Sequence, residues 1–463
     1  MTNMNRRHLL GASAAASLGL LGISPEVAAQ AARGGVLVIG TTQKPRHLNS
    51  AVQSGIASQS PGSQLFSSLL RIDNQWKPQP YLAERWDLSS DNLSVTLHLR
   101  KDAMFHDGTP ITSEDVRFSL ESVRHHHPFS SMLAPLNAVT TSGPHTAVVR
   151  LAEPHPALLL ALSSPLTPIL PRHIFEGGDL KVHPRNNSPV GSGPFKLVEF
   201  KPGEHIIMDR FDRFFMKDLP KLDRIIFKEY KDTGSLILAF ESGEVDALQQ
   251  VTGTDQARIR KVPGVQFVEN AAPATGPLVW LAFNLKNPKL ADKRVRQAIS
   301  FAIDRNFIVK GITSNTAKRA TGPIGSGSPF YTNEVERYDL DLAKANQLLD
   351  AAGVKPGTNG MRFSLEVDCP PGYPSFKAMQ EYMKPALAKI GVNVVVRNSP
   401  DFPTWARRVA GQQFEATIDG AWNWGDPIIG VHRTYLTSNI KPPVSTCHGP
   451  PGPGQAQGAC GGG

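Results

Sequence analysis

Cysteine is scarce in this sequence. Only Cys369, Cys447 and Cys460 occur among its 463 residues, and no two of them form a Cys-x-x-Cys pair. So few and so scattered cysteines exclude a disulfide framework and a zinc ribbon.

Long hydrophobic runs and dense charge are also lacking. Charged residues make up 19% of the chain, below the roughly 25% that is usual in globular proteins. Past the N-terminus no window of about 18 residues is both apolar and uncharged, so we expect no membrane span in the body of the chain. At roughly 100–200 residues per domain, the length predicts two or three domains.

The net charge of +9 is not concentrated in one segment. The densest basic spots, Lys293–Arg296 and Arg407–Arg408, lie in helix-like patterns without interleaved aromatic residues. A strip that binds nucleic acid needs such aromatics for base stacking. We therefore expect no nucleic-acid partner.

Motifs of the common enzyme classes are missing as well. The sequence has no Gly-x-Ser-x-Gly, no His-Glu-x-x-His and no Walker-type phosphate loop. The glycine-rich pieces Gly191–Gly193 and Gly325–Gly327 are followed by Pro-Phe and Ser-Pro-Phe, so neither opens a helix as a dinucleotide loop must. We interpret them as turns that bend the chain near a cleft, and we expect no catalytic residue and no cofactor.

Two histidine clusters are weaker candidates for chemistry. The three imidazoles of His125–His127 diverge in direction on most backbones and have no close carboxylate or thiol, so we interpret them as a solvated helix end rather than a metal site. His106 and Asp107 suggest a general base made of a histidine and a carboxylate. In an extended segment, however, adjacent side chains point apart and are out of hydrogen-bond reach. We interpret them as part of a loop and predict no metal site.

The N-terminus has the pattern of an export signal. Asn5–Leu10 contains paired arginines, Gly11–Ile23 carries no charge, and Ala28–Ala32 is rich in small residues. This order predicts a signal peptide of the twin-arginine type over residues 1–31, and hence a periplasmic location. The alternative, a membrane anchor, is disfavoured because the apolar run is shorter than the roughly 20 residues that a span needs.

Hydrophobic periodicity in the body of the chain predicts alternating strands and helices. Strands are predicted at Val36–Ile39, Leu93–Leu99, Ile225–Phe227, Val245–Leu248, Met361–Val367, Val392–Val396 and Phe414–Ile418. Helices are predicted after Thr112 or Ser113, either of which can act as the N-cap, and at Ser235–Glu241, Val295–Ile303, Asp341–Ala352 and Tyr382–Ile390. This alternation is typical of the α/β class with mixed sheets.

The most informative cluster is the run from Trp422 to Pro427, which follows the predicted strand Phe414–Ile418. Loops at strand ends collect ligand-binding groups in α/β folds. Tryptophan offers a flat apolar wall, and a carboxylate binds a cation by a charge-assisted bond. We predict ligand contacts from Trp422, Asn423, Trp424 and Asp426. The alternative is a core pair of tryptophans, with Asp426 capping a helix.

Several longer motifs resemble one known family. They are Pro80–Trp86, Leu97–Lys101, Phe105–Val116, Pro189–Phe195, Ser242–Asp246, Phe283-Asn284, and Val295–Ile299 with Asp304-Arg305. From about Gly35 to Trp424 the sequence resembles the family 5 extracellular solute-binding proteins of ABC importers, the dipeptide-, oligopeptide- and nickel-binding group.

The resemblance implies a two-lobed periplasmic-binding-protein (flytrap) fold with an enlarged N-terminal lobe. The lobes are expected at residues 32–271 and 272–440, with one of two crossing segments near Asn270–Pro277. They would close on a peptide or peptide-sized solute and present a joined surface to the ABC permease subunits in the inner membrane. We expect the protein to act as a monomer.

Three further residues complete the predicted ligand site. Thr42 and Gln43 lie in the loop after the first strand. Arg408 is a candidate for bidentate binding of a ligand carboxylate. The alternative for Arg408 is a solvated helix face.

Two departures from the family pattern bear on the function. In peptide-binding members an aspartate of the Trp-rich loop receives the α-amino group of the ligand, and here alignment on Gly425–Pro427 places Asn423 there. A neutral amide does not form that ion pair, so a ligand with a free amine requires Asp426 instead. The final family segment is replaced by Lys441–Gly463, which is rich in glycine and proline and is predicted to be an aberrant, disordered tail. A secreted hydrolase and a truncated, non-transporting remnant of a binding protein remain as alternative functions.

Overall fold

A computed structural model describes residues 34–164, 166–249, 251, 253–268, 278–422, 424, 426–431 and 435. The predicted signal peptide, the predicted crossing near Asn270–Pro277, Asn423 and the tail Lys441–Gly463 lie outside the described residues. Within the described part of the chain, no helix combines the length and the apolar character of a membrane span.

Three sheets are built from residues that precede position 249. Their strands are β1 Val36–Thr41, β2 Leu70–Ile72, β3 Pro78–Pro80, β4 Ala83–Leu88, β5 Ser94–Leu99, β6 Leu136–Thr141, β7 Thr146–Leu151, β8 Phe195–Lys201, β9 His205–Arg210, β10 Arg224–Glu229 and β11 Ala247–Leu248. The strand orders are β11-β1-β10-β9-β8, β4-β5-β7-β6 and β2-β3.

The helices of the same half connect and cover these sheets. They are α1 Ile56–Leu65, α2 Ser113–His126, α3 Leu158–Ala161, α4 Arg172–Phe175, α5 Thr233–Glu241 and α6 Gly253–Ile259, with 3-10 turns at Ser130–Leu133 and Pro184–Asn186. As predicted, α2 follows Thr112, whose backbone N–H donates to Asp115 Oδ2 at 2.8 Å as part of a capping box.

The five-stranded sheet has a parallel centre. β1 runs parallel to β10, with Thr41 opposite Glu229, and parallel to β11, with Ile39 opposite Ala247. Because the carboxyl ends of parallel strands meet at one edge of a sheet, the segments that follow β1, β10 and β11 come together there.

A fourth sheet forms the second half of the molecule. Its strands are β12 Leu278–Phe283, β13 Phe363–Asp368, β14 Val392–Arg397 and β15 Ala416–Ala421, in the order β12-β15-β13-β14. The helices of this half are α7 Pro288–Ala291, α8 Lys293–Ala302, α9 Arg305–Phe307, α10 Leu342–Ala351, α11 Pro374–Ala388 and α12 Phe402–Ala410, with a π turn at Ile308–Ile312; α13 Pro427–Gly430 follows β15.

Most of these elements differ from the predicted bounds by one or two residues, and α11 and β15 differ by more. Helix α11 begins at Pro374, well before the predicted Tyr382, because proline is favoured in the first turn of a helix. Strand β15 begins at Ala416 rather than Phe414, because Phe414 packs with Trp405 and Val409 of α12 in a small separate cluster.

The two halves have separate hydrophobic cores, in agreement with the predicted two-lobed α/β class. The first core contains buried residues such as Phe66, Phe105 and Phe175, and the second contains Val295, Leu365 and Ile418. Each core is covered by the helices of its own half, so each lobe is stabilised largely by its own apolar burial.

The chain returns to the first lobe after β15. Ile429 of α13 is fully buried in the first core, and Trp424 and Ile428 pack against that same core. The predicted assignment of all of residues 272–440 to the second lobe is therefore wrong for this segment, because its apolar side chains are buried against the first lobe.

Candidate functional site

A cleft of about 3340 Å³ is lined by residues of both lobes. From the first lobe the lining includes Thr42–Arg46, Gln53–Ala57, Pro128, Phe129 and Lys231–Thr233. From the second lobe it includes Leu278–Leu281, Cys369–Lys377, Trp405 and Ile418–Gly420. Pockets for drug-sized ligands usually measure about 300–1,000 Å³, so this cleft has room for a peptide-sized ligand.

Thr42 and Gln43 lie in the first-lobe wall of the cleft. The loop is held where β1 ends: Thr41 Oγ1 accepts a hydrogen bond from Gln43 N at 3.0 Å, and Thr41 O accepts one from Tyr230 N at 2.9 Å. The two predicted residues are thus placed at the edge where parallel strands end. Their contact with a ligand stays a prediction.

Trp422 and Trp424 both line the cleft, but their surroundings differ. The Trp424 ring meets the Phe129 ring edge-on, with centroids 6.3 Å apart, and its buried Nε1 has no hydrogen-bond partner among the described residues. Its φ of 54° lies in the left-handed region, where a bulky residue is an outlier. Trp424 therefore packs against the first lobe in a strained backbone conformation, and Trp422 is half-buried in the wall of the cleft.

Asp426 does not line the cleft. Its Oδ1 accepts a hydrogen bond from Ile428 N at 2.8 Å, so it is the N-cap residue of α13. This is the alternative that the sequence left open. A role for its carboxylate in binding a ligand amine has no support from this geometry.

Arg408 is engaged within the second lobe rather than in the cleft wall. Its Nη2 donates to Asp368 Oδ2 at 2.5 Å and also to Ser399 Oγ. Only 14% of the Arg408 side chain and none of the Asp368 side chain is exposed. The alternative prediction of a solvated helix face is therefore wrong for Arg408, and the expected bond to a ligand carboxylate would compete with this buried ion pair.

Sequence reasoning missed most of the aromatic wall of the second lobe. Trp280, Tyr373, Phe376 and Trp405 all line the cleft. The rings of Tyr373 and Phe376 are stacked 4.9 Å apart, and Trp405 Nε1 donates to Thr417 Oγ1 at 3.1 Å. The argument that selected Trp422, an aromatic residue in a loop at the end of a strand, could also have selected Tyr373. Tyr373 lies in a Pro- and Gly-rich turn directly after β13.

The glycine-rich pieces have different positions. Gly325 and Ser326 line the cleft, as expected of a turn near it. Gly191 and Gly193 instead lie against the end of α1, where Gly193 N donates to Leu65 O at 2.9 Å. Gly191–Gly193 is thus a backbone contact within the first lobe and not part of the cleft wall.

The histidine candidates are structural. His106 Nε2 lies 3.0 Å from Gly193 O, and burial lowers the pKa of His106 to about 4, which favours the neutral ring. Asp107 Oδ2 is 2.8 Å from His173 Nε2 instead, so His106 and Asp107 do not pair. His127 is only 2% exposed, and the expected solvated helix end is therefore wrong for it. Among the described residues no group of three His, Cys, Asp or Glu side chains is arranged to hold a metal ion.

Comparison with known proteins extends this picture. Oligopeptide-binding protein AppA of Bacillus subtilis is 28% identical over 379 residues, which are 78% of this chain and 68% of that protein. Glutathione-binding protein GsiB of Salmonella typhimurium is 25% identical over 385 residues, 81% of this chain and 72% of that protein. Putative ABC transporter peptide-binding proteins of Brucella match over 75% of this chain and 66% of their own length. The chain thus matches about two thirds of the length of these relatives.

Solved structures show the same two-lobed fold. AppA of Bacillus subtilis in complex with a nonapeptide superposes with a TM-score of 0.77 at 25% identity, covering 89% of this chain and 84% of that one. AgaA of A.tumefacien R10 in complex with agropinic acid has a TM-score of 0.75 at 29% identity, covering 87% and 80%. The family model that describes the middle region of bacterial extracellular solute-binding proteins of family 5 matches residues 77–442. The chain belongs to this family of extracellular solute-binding proteins.

Proposed function

We propose that this protein is the solute-binding component of an ABC importer. It binds a peptide or a peptide-sized solute between its lobes and delivers it unaltered to permease subunits in the inner membrane. The observation that carries the proposal is the cleft between the lobes, whose lining includes four of the six tryptophans of the chain: Trp280, Trp405, Trp422 and Trp424. The names of the oligopeptide-binding and glutathione-binding relatives support it.

Ligand binding closes the lobes by differential affinity. A solute that touches Thr42 and Gln43 on one side and Trp422 and Tyr373 on the other makes all its contacts only when the two walls are close together. It therefore favours the closed arrangement over the open one. The permease then recognises a surface that both lobes share, and no bond of the ligand has to be broken.

The proposal includes a location and a state of assembly. Residues 1–31 act as a twin-arginine signal peptide, the protein works as a monomer in the periplasm, and its lobes correspond to the predicted division except for the segment from Trp424 to Val431. The extracellular character of the family supports the exported location.

Titration of the purified chain with dipeptides, tetrapeptides and nonapeptides tests the function. A true ligand changes the tryptophan fluorescence in a saturable way and raises the melting temperature, since a ligand at a hundred times its Kd stabilises the folded state by about 2.7 kcal/mol. Mass spectrometry of the released ligand is expected to return it intact. A cleaved ligand would indicate a hydrolase, and no melting shift with any peptide would contradict the proposal.

Replacement of Trp422 by alanine is expected to weaken the binding of such a ligand about fivefold or more, that is by about 1 kcal/mol or more. The indole is a flat wall of the cleft, and the ligand loses that apolar contact. Isothermal titration calorimetry measures the change in Kd. Trp76→Ala is the matched control, because Trp76 is partly buried and lies outside the cleft lining. An unchanged Kd in Trp422→Ala would remove Trp422 from the site.

A further inference from the structure

The charged residues of the cleft are mostly of one sign. The lining contains nine basic side chains, Lys44, Arg46, Lys231, Lys293, Arg305, Lys318, Arg319, Arg337 and Lys377, and three acidic ones, Asp232, Glu336 and Asp419. The difference is 9 − 3 = +6, whereas the whole chain of 463 residues has a net charge of only +9. Positive charge is therefore strongly enriched in the cleft.

The three acidic residues of the lining are already engaged. Asp232 Oδ1 accepts a hydrogen bond from Ser235 N at 2.8 Å and caps α5, and Asp419 Oδ1 accepts one from Gly420 N at 2.7 Å. Glu336 Oε1 lies 3.7 Å from Lys344 Nζ, a residue outside the lining. These carboxylates remain ionised, and Asp339, outside the lining, pairs with Arg319. The basic side chains of the cleft still outnumber these four carboxylates.

Three of the basic side chains come together by the topology of the sheet. Lys44 and Arg46 follow β1 and Lys231 follows β10, and the ends of these parallel strands are in register at Thr41 and Glu229. All three side chains are exposed. The hydrogen bonds from Ser235 lower the pKa of Asp232, and the charge of the neighbouring Lys231 acts in the same direction. We call Lys44, Arg46 and Lys231 the basic edge.

Glu229, the last residue of β10, is a carboxylate that does not line the cleft. Glu229 is 8% exposed, and its Oε2 accepts a hydrogen bond from Gly203 N at 2.9 Å. Burial raises the pKa of Glu229, and the hydrogen bond from Gly203 and the charge of Lys44 oppose this rise. The side chain is thus turned into the protein and away from the cleft, whose lining does not include it.

We propose that the ligand of this cleft is an anion: a peptide or peptide-sized solute with more than one carboxylate, whose acidic groups are bound by the basic edge. This inference rests on the proposed function and specifies the class of solute. A cleft lined by one sign of charge concentrates the field and accelerates the capture of an oppositely charged ligand. Salt screens the electrostatic attraction between exposed lysine or arginine side chains and an anionic ligand, so this attraction has a shorter range at higher ionic strength.

Three matched tetrapeptides test the charge preference. Ala-Glu-Glu-Ala and Ala-Gln-Gln-Ala have central side chains of nearly the same shape that differ in charge, and Ala-Lys-Lys-Ala carries the opposite charge on longer side chains. Calorimetry gives the Kd of each for the purified full chain. We expect the acidic peptide to bind at least about tenfold more tightly than the neutral one at about 0.02 M salt, and to lose most of this preference at about 0.3 M. The basic peptide is expected to bind most weakly.

Variants locate the preference at the basic edge. The double change Lys44→Gln and Lys231→Gln is expected to reduce the acidic-to-neutral preference to about threefold or less, while the Kd of the neutral peptide changes little. Lys101→Gln is the matched control, because Lys101 is exposed and lies outside the cleft. A neutral peptide that binds as tightly as the acidic one overturns the inference and leaves the proposed function intact.

A second measurement separates the inference from the proposed function. Four of the six tryptophans line the cleft, so quenching of their fluorescence by iodide and by caesium reports the sign of its potential without any ligand. The ratio of iodide to caesium quenching is compared with the ratio for free N-acetyltryptophanamide, because the two ions quench a free indole to different extents. We expect the ratio of the protein to exceed that of the free indole, and to fall when Lys44, Arg46 and Lys231 are all replaced by glutamine. Because no peptide is present, this result supports the anion preference even if none of the tested peptides binds. A ratio that does not exceed that of the free indole, or that the triple variant leaves unchanged, overturns the inference.

Discussion

Replacement of Arg408 by methionine is expected to lower the free energy of unfolding of the second lobe by about 3–5 kcal/mol. Arg408 Nη2 donates to Asp368 Oδ2 at 2.5 Å, and Asp368 is fully buried. Methionine occupies a similar volume but leaves a buried carboxylate without its counter-ion. Denaturant unfolding at neutral pH, followed by tryptophan fluorescence, measures the loss.

The size of this loss should depend on pH. Burial raises the pKa of Asp368, and the hydrogen bond from Arg408 opposes that rise, so the pKa increases further in the variant. A carboxyl whose pKa is higher in the folded state costs stability once it is ionised, and the cost disappears when pH falls below its pKa in both states. We therefore expect the full deficit at neutral pH and a smaller one in mildly acidic solution.

A double variant provides the control for this ion pair. Replacing Asp368 by asparagine together with Arg408→Met removes the buried charge as well as its partner, and should recover most of the lost stability. The prediction fails if Arg408→Met loses less than about 1 kcal/mol at neutral pH, or if the double variant is as unstable as the single one. Because α12 and the turn at Cys369–Tyr373 line the cleft, ligand binding should weaken in parallel.

Replacement of Gly191 by alanine is expected to destabilise the first lobe by about 3 kcal/mol or more. A Cβ atom at this position would lie 1.8 Å from Leu65 O and 2.7 Å from the Leu65 carbonyl carbon. The obstacle is backbone at the end of α1, which cannot move aside as a flexible side chain can. The Gly193 N–H that satisfies Leu65 O would be displaced with it.

The measurement for Gly191→Ala combines the yield of folded protein with its melting temperature. Gly322→Ala is the matched control, because nothing lies within 4 Å of a Cβ built at Gly322. The control is expected to have the stability of the parent chain or slightly more, since alanine reduces the freedom of the unfolded chain. A Gly191→Ala protein that melts within a few degrees of the control would contradict the prediction.

Local patterns in the sequence were sufficient for much of the fold. The alternation of apolar residues predicted β5, and the alternate residues Val95, Leu97 and Leu99 are indeed buried. The capping residue Thr112 predicted the start of α2. Apolar alternation and helix capping depend only on residues that are close together in the sequence. They can therefore be recognised without knowledge of the tertiary structure.

The surroundings of the candidate site could not be predicted in the same way. Arg407 and Arg408 are adjacent on α12, yet Arg407 is exposed while Arg408 reaches Asp368, which is 40 residues away along the chain. The side chains of adjacent helical residues diverge, and the periodicity does not say which polar residue meets a distant partner. Trp424 and α13 were assigned to the wrong lobe for the same reason, since packing rather than pattern decides which core buries them.

The burial of Ile429 in the first core has a mechanical consequence. In the sequence, the second lobe from β12 to β15 has residues of the first lobe both before it and after it. A lobe that is connected by a single segment can rotate in several directions. Two connecting segments restrict the motion to a hinge rotation about the axis that passes through both of them. Trp424, whose ring meets that of Phe129 edge-on and whose backbone is left-handed, belongs to the segment that returns to the first lobe.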